Sequence, residues 1–338
     1  MSLALQIERE DTIWDGALPE LEHGGRKWLG ARAGQHRIVE HLGSGGMGHV
    51  FLAEHATLGA RAAVKILPAG STAAQKLQFQ QEAWLLSAQS HPNIVHLLDT
   101  GSLEDGSSYL LMEYAAGIDL GCWLQRRGDR PVCRILRILR QVACAVDHLH
   151  AQGILHRDIK PANIVIEPEA DDAVKLLDFG IATREGQNDA RTALVFGTPA
   201  YMAPEQAAGV PATRATDLYA LGALALELLT GRPPYDYPSI PMILAAVLHE
   251  RPSLPSDRGL NVPALDRFFE RALSREPEQR FASARELVDA LDQVLRAAPV
   301  ASADVPRRTA RDVGRLLAQG AVALSCAVLA RLPLAQLF

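Results

Sequence analysis

The stretch His156-Arg157-Asp158-Ile159-Lys160-Pro161-Ala162-Asn163, with Asp178-Phe179-Gly180 shortly after it, constrains this chain more than any other. It gathers two acids, an amide, a lysine and an arginine into a short loop-and-strand span. That set suits holding a metal-bound triphosphate beside a hydroxyl. Phosphoryl transfer asks a protein for in-line positioning and for cations around a charged transition state, with little covalent chemistry. Before the stretch, from His36, the pattern is mostly that of strands. After Gly117 it turns helical: Ile135, Leu136, Ile138, Leu139, Val142, Ala143, Val146 and Leu149 form a broad apolar face at helical spacing. That helix is expected to end at Gly153, with Ile154-Leu155 delivering the charged stretch. A strand-rich first third before a helical remainder implies two lobes with a cleft between them.

Composition narrows the classes further. With 48% apolar and 22% charged residues in 338, the chain reads as globular. A net charge of −5 and the lack of a Lys/Arg stripe argue against nucleic acid as a partner. The few lysines among many arginines and alanines suggest a GC-rich, bacterial genome. Cys122, Cys133, Cys144 and Cys326 have no metal-ligand spacing. Cys133 and Cys144 fall in the expected helix and read there as buried apolar residues. Early acids (Glu8, Glu10, Asp11, Asp15) speak against a signal peptide. Residues 1–35 match no pattern; an extension packed on the domain is the plain expectation, a regulatory or dimer contact the other.

The glycines of Leu42-Gly43-Ser44-Gly45-Gly46-Met47-Gly48-His49-Val50 have a spacing shared with dinucleotide-binding folds. There a helix opens directly after the glycines. Here Val50-Phe51-Leu52 continues as a strand, so the glycines suit a hairpin tip whose backbone N–H groups can cover phosphates. Lys65 is the lone charge in the apolar run of the next expected strand, Arg61–Leu67, either a snorkelling edge lysine or an anion anchor. Glu82 is the only acid of the helix that follows Ser71, in which Leu77, Phe79, Leu85 and Leu86 offer apolar contacts. That makes it the strongest partner for Lys65. Ile94–Leu98 and Tyr109–Met112 read as strands around the turn Asp105-Gly106.

In the form H-R-D-x-K-P-x-N, residues 156–163 resemble the catalytic loop of protein kinases, with lysine two places after aspartate as in Ser/Thr-specific members. Asp178-Phe179-Gly180 resembles their magnesium-binding motif. Lys65 matches their strand lysine, Met112-Glu113-Tyr114-Ala115-Ala116-Gly117 their hinge, and Gly197–Glu205 the substrate-side end of their activation loop. The motifs follow one another in the family's order across residues 36 to about 297. The chain therefore resembles a eukaryotic-like bacterial serine/threonine protein kinase.

That resemblance implies an α+β, bilobal fold: a small antiparallel β-sheet lobe with one main helix (about 36–113) and a larger helical lobe (about 118–297). It implies ATP and Mg2+ as cofactors, Mn2+ as a substitute, and protein Ser/Thr hydroxyls as acceptors, the chain's own included. Leu42, Gly43, Gly45, Gly48, Val50, Ala63, Lys65, Met112, Glu113, Ala115 and Val165 would surround the nucleotide. Asp158 would orient the acceptor hydroxyl, Lys160 offset charge on the transferred phosphate, Asn163 and Asp178 hold the metal, and Glu82 hold Lys65. Thr192 falls where bacterial members carry an activating phosphate, with Arg157 the cation to bind it, and Thr198 would floor the acceptor site. Thr183 is a weaker second phosphosite. Glu205 with Arg280, and Asp217 beneath the catalytic loop, would be scaffold.

Two other classes stay in view. A nucleotide-binding scaffold would be signalled by loss of Lys65, Asp158 or Asp178, all of which are present. A small-molecule phosphotransferase would not need the Gly197–Glu205 segment. Residues 298–315 read as a linker carrying Arg307, Arg308, Arg311 and Arg315. The apolar run Leu316–Ala330 falls short of the ~20 residues of a spanning helix, but Leu316–Phe338 reaches it if Arg331 snorkels. A tail anchor tethering a cytoplasmic kinase domain to the inner membrane, a helix docked on the protein, and an interfacial helix are the alternatives.

Overall fold

The structure, a computed structural model, describes residues 25–45, 48–126, 130–186 and 199–297. The small lobe is a six-stranded antiparallel sheet in the order β1-β2-β3-β4-β6-β5. Its strands are β1 (Arg32–Ala33), β2 (His36–Gly45), β3 (Gly48–His55), β4 (Arg61–Leu67), β5 (Leu97–Ser102) and β6 (Ser108–Glu113). Alternation divides the two faces. On β3 and β4, Phe51, Ala53, Ala62, Val64 and Ile66 pack on the outer face together with Trp28, Ile38, Tyr109 and Leu111. On the inner face Leu67 meets Leu110 and Phe79 of helix α1 (Ala73–Ser87).

Thr72 caps α1 in a reciprocal capping box with Gln75, which fixes where the helix starts. Phe79, Glu82, Leu85 and Leu86 are its buried residues. Leu77, expected among the apolar contacts, is 66% exposed instead, because it lies on the outward stripe with Trp84 one heptad later. Trp28 and Ala33, ahead of the expected start at His36, are buried in the sheet's outer face, so the small lobe takes in chain from at least Trp28.

The large lobe is built around α3 (Val132–Ala151) and α5 (Arg214–Thr230). All eight apolar residues expected to face inward on α3 are buried. α5 is buried from Thr216 to Thr230, as a helix apolar on nearly all sides must be, and ends on Gly231 in the left-handed region. Short helices α2 (Leu120–Gln125), α4 (Pro204–Ala207) and α6 (Ile240–His249), then α7 (Pro263–Ala272) and α8 (Ala284–Ala297), complete the lobe. Asp147 of α3 accepts from the backbone N–H groups of Ala284 and Arg285 and so caps α8 from across the core. Cys133 and Cys144 do lie on α3, but both are exposed rather than buried. They share its outward stripe with Arg137 and Arg140.

Small sheets line the cleft: β10 (Ala173–Leu176), β9 (Ile164–Glu167) and β7 (Ile118–Asp119) in one, β11 (Thr183–Arg184) and β8 (Ile154–Leu155) in the other. The strand expected from Ile94 begins only at Leu97. Ile94 and Val95 are buried against the large lobe instead, where Val95 N–H donates to Leu176 and Leu176 N–H to Asn93. The α1–β5 connection thus belongs to the large lobe by its bonding. Among the described residues no helix is long and apolar enough to cross a membrane; residues 298–338, including the segment read as an anchor, lie outside them.

Candidate active site

Lys65 stands on the inner face of β4, paired in register with Val50 of β3 and Leu110 of β6. Its ammonium lies 2.7 and 2.8 Å from the two carboxylate oxygens of Glu82 on α1 and 3.0 Å from Oδ1 of Asp178. Lys65 and Glu82 are both buried, so this ion pair is largely shielded from water. Burial pulls the lysine's pKa down, but Asp178 and Glu82 outweigh it and hold the ammonium charged. The two carboxyls separate. Burial drives Glu82 up to about 7 despite Lys65. Asp178 is lowered to about 2, Lys65 and Lys160 overcoming its own desolvation.

Asp178 has φ 54 and Arg157 φ 67, left-handed conformations that non-glycine residues rarely adopt and that tend to mark working sites. Arg157's backbone is held by Asp217 of α5, whose Oδ1 accepts from Arg157 N–H at 2.7 Å and whose Oδ2 accepts from His156 N–H at 2.9 Å. His150 Nε2 completes the carboxylate's partners at 2.8 Å. Against desolvation, these bonds keep Asp217 below the usual carboxylate range. His156 is fully buried, bonded to the Leu177 carbonyl and packed edge-on against Phe179, which is a structural position.

The loop so braced presents Asp158, whose Oδ2 takes the Lys160 ammonium at 2.8 Å and the Asn163 amide at 2.8 Å. Because the Asn163 nitrogen is directed at Asp158, its Oδ1 is the atom left for a cation. Asp178 is one-third exposed, with Oδ1 engaged by Lys65 and by Gly180 N–H. Oxygen donors from one amide and one carboxylate suit a hard cation that takes its remaining ligands from phosphate and water. No group of three or more His, Cys, Asp or Glu that could hold a metal by themselves occurs among the described residues.

The remaining residues expected around a nucleotide lie on β2, β3 and β4, at and just after the end of β6, and on β9. Gly43 pairs with Val50 and Gly45 with Gly48 at the end of the β2–β3 ladder. Gly48 has φ 121, and a Cβ there would stand 2.3 Å from the Ile66 carbonyl, so no other residue fits without moving the strand. Leu42 and Met112 are buried, Val50, Ala63 and Val165 half-buried. Met112 and Glu113 end β6, and Tyr114–Ala116 cross irregularly to β7. The Glu113 side chain turns away to pair with Lys175 and accept from His96 N–H. At Gly117 a Cβ would come within 2.1 Å of the Ile166 carbonyl, so the crossing runs hard against β9.

Glu205 lies beneath, its two oxygens each 2.8 Å from the Arg280 guanidinium in a bidentate pair, with Thr216 Oγ1 donating at 3.0 Å. Thr192 and Thr198 lie outside the described residues; Thr183 is buried in β11. Two contacts escaped the sequence reading. Gln78 donates to the Gly180 carbonyl at 2.6 Å, and Gln81 to that of Ala182 at 3.4 Å, so α1 is tied to the segment after Asp178 by more than Glu82.

The protein kinase domain model matches residues 36–291. The chain belongs to the protein kinase family. Its kinase domain is 39% identical over 262 residues to the serine/threonine-protein kinase pkn3 of Myxococcus xanthus, covering 74% of this chain and 48% of that protein. It is 36% identical over 261 residues to PrkC of Bacillus subtilis, covering 75% and 40% respectively. With PknB of Mycobacterium tuberculosis the identity is 37% over 262 residues, covering 75% and 42%. The chain thus spans less than half the length of these relatives, all of which are named serine/threonine-protein kinases. Kinase membership implies ATP and a divalent metal as cofactors.

Proposed function

We propose that this chain is a serine/threonine protein kinase that moves the γ-phosphate of ATP, bound with Mg2+, to Ser or Thr hydroxyls of proteins, itself among them. The observation that carries the reading is the Lys65 ammonium held at once by Glu82 and Asp178, beside the linked Asp158–Lys160–Asn163 set. A scaffold that only bound nucleotide would have no use for the second set.

Bound MgATP supplies the transferable phosphoryl group and a metal that neutralises charge on it. The protein's part is placement. Lys65 anchors the α- and β-phosphates, and Glu82 keeps it aimed. Asn163 Oδ1 and Asp178 Oδ2 are the oxygens that would hold the metal. Asp158 orients the acceptor hydroxyl and takes its proton, and Lys160 offsets developing charge. The backbones of Glu113 and Ala115 meet the adenine, with Leu42, Val50, Ala63, Met112 and Val165 closing on its ring. In this reading the working domain runs from about Trp28 to 297, Thr192 is the activating phosphosite, and residues 316–338 tether the domain to a membrane.

Autophosphorylation of residues 1–338 with Mg-ATP, beside Asp158→Asn, tests the proposal. Wild type is expected to label Thr192. Asp158→Asn should lose transfer by about 10²-fold or more while binding ATP as before. Equal labelling in both proteins would remove Asp158 from its role, and ATP binding without any transfer by wild type would favour the scaffold.

A further inference from the structure

Trp28 is almost fully buried on the face of the sheet opposite the cleft. Its ring lies 5.1 Å from that of His49 and 5.9 Å, edge-on, from that of Phe51. The indole N–H donates to Asp105 Oδ2 at 2.9 Å, and Lys27 reaches the same oxygen at 2.9 Å while lying over the indole. From His49 the contacts continue into the base of the glycine hairpin: Nδ1 is 2.8 Å from the Ser44 hydroxyl, which is 2.9 Å from Nε2 of His41. His41 in turn packs against Phe51, ring centroids 5.0 Å apart. A connected path therefore runs from the β5–β6 turn through Trp28 to both strands of the hairpin, joining β2 to β3 where their ladder is about to end.

The glycines that let a backbone approach phosphates also make ordering that backbone costly. A clasp at the hairpin's base lowers the cost of ordering on binding. We propose that Trp28, acting through His49, Ser44 and His41, is a positioning residue for the glycine hairpin and sets the affinity for the nucleotide's phosphates from the far side of the sheet. This rests on the reading that the hairpin covers a bound nucleotide. His49 and Phe51 share the outer face with Trp28, while Val50 between them faces the other side, so the path reaches the hairpin from the face away from the catalytic loop and should leave the transfer step alone.

The test uses the full chain, with MgATP affinity by calorimetry, and kcat and KM for MgATP and for a Ser/Thr acceptor peptide. Ser44 is exposed, so Ser44→Ala cuts the path without opening the core. Ser44→Ala and Trp28→Ala are expected to weaken MgATP binding and raise its KM about five- to tenfold, with kcat within about twofold and acceptor KM unmoved. Trp28→Phe keeps an aromatic ring against His49 and should restore most of the affinity. Ser44→Ala binding MgATP as tightly as wild type overturns the inference. So does a weakening in Trp28→Ala that merely follows the folded fraction read by circular dichroism. A wild type that binds no MgATP overturns the nucleotide reading itself, a result distinguishable from equal binding by all variants.

Discussion

Lys65 has to satisfy two carboxylates, and their unequal response assigns them different work. Glu82, fully enclosed, engages the lysine through both carboxylate oxygens and so holds it, whereas Asp178 engages it through Oδ1 alone and, one-third exposed, keeps Oδ2 for a cation. Lys65→Met leaves both acids without their cation and should lower transfer by about 10²–10³-fold, read by phosphate incorporation. Arg280→Met strands the Glu205 carboxylate in the core, and removing one partner of a buried pair costs about 3–5 kcal/mol; urea denaturation measures it. Asp217 gives a signed pH dependence. Its pKa is depressed in the fold, so its contribution is fully present above the ordinary carboxylate value near ~4 and is lost as pH falls below that value through the lower one of the folded state. The stability gap between wild type and Asp217→Asn should therefore be constant near neutrality and shrink on acidification. Lys65 and Glu82 were legible in sequence because Lys65 is the lone charge inside an apolar run and Glu82 the only acid of its helix. Gln78 and Gln81 were not, since helical glutamines are commonplace and their partners are carbonyls 102 and 101 residues away.

At the scale of elements, periodicity found α3 and its inward face, yet misjudged Cys133 and Cys144 because residue type was allowed to outweigh helical position. The segment at Ile94 misled for a related reason: a short apolar run reads alike whether it joins a sheet or docks singly on a neighbouring lobe. The long-range part of the cap on α8 had no local signal, since Asp147 lies 137 residues before the N–H group from which it accepts, whereas Ser283, which accepts from Glu286 N–H, is the cap the sequence itself offers. Asp147→Ala should cost about 1–2 kcal/mol, the usual worth of an N-cap, visible as a lower thermal midpoint with the active-site geometry untouched.

Across the whole molecule, the two-lobe plan was readable from the switch of pattern after Gly117, but the small lobe's true extent was not. Trp28 sits among acids, glycines and a proline, and nothing local announces that its ring covers the outer face of a sheet. Cutting the chain at His36 would strip that cover, and a protein of residues 36–297 should be less stable than one of 25–297 by roughly 3–5 kcal/mol, the scale of one lost buried aromatic; urea midpoints decide. The lobes also meet along α1. Beyond Glu82, Gln78 and Gln81, its exposed Trp84 lies 4.4 Å from the Arg184 guanidinium on β11. Trp84 thereby turns the seating of α1 into an optical signal native to the chain. Any nucleotide, acceptor or partner that draws residues 180–184 away from the helix will change its emission without a label, and Arg184→Ala supplies the reference for full separation.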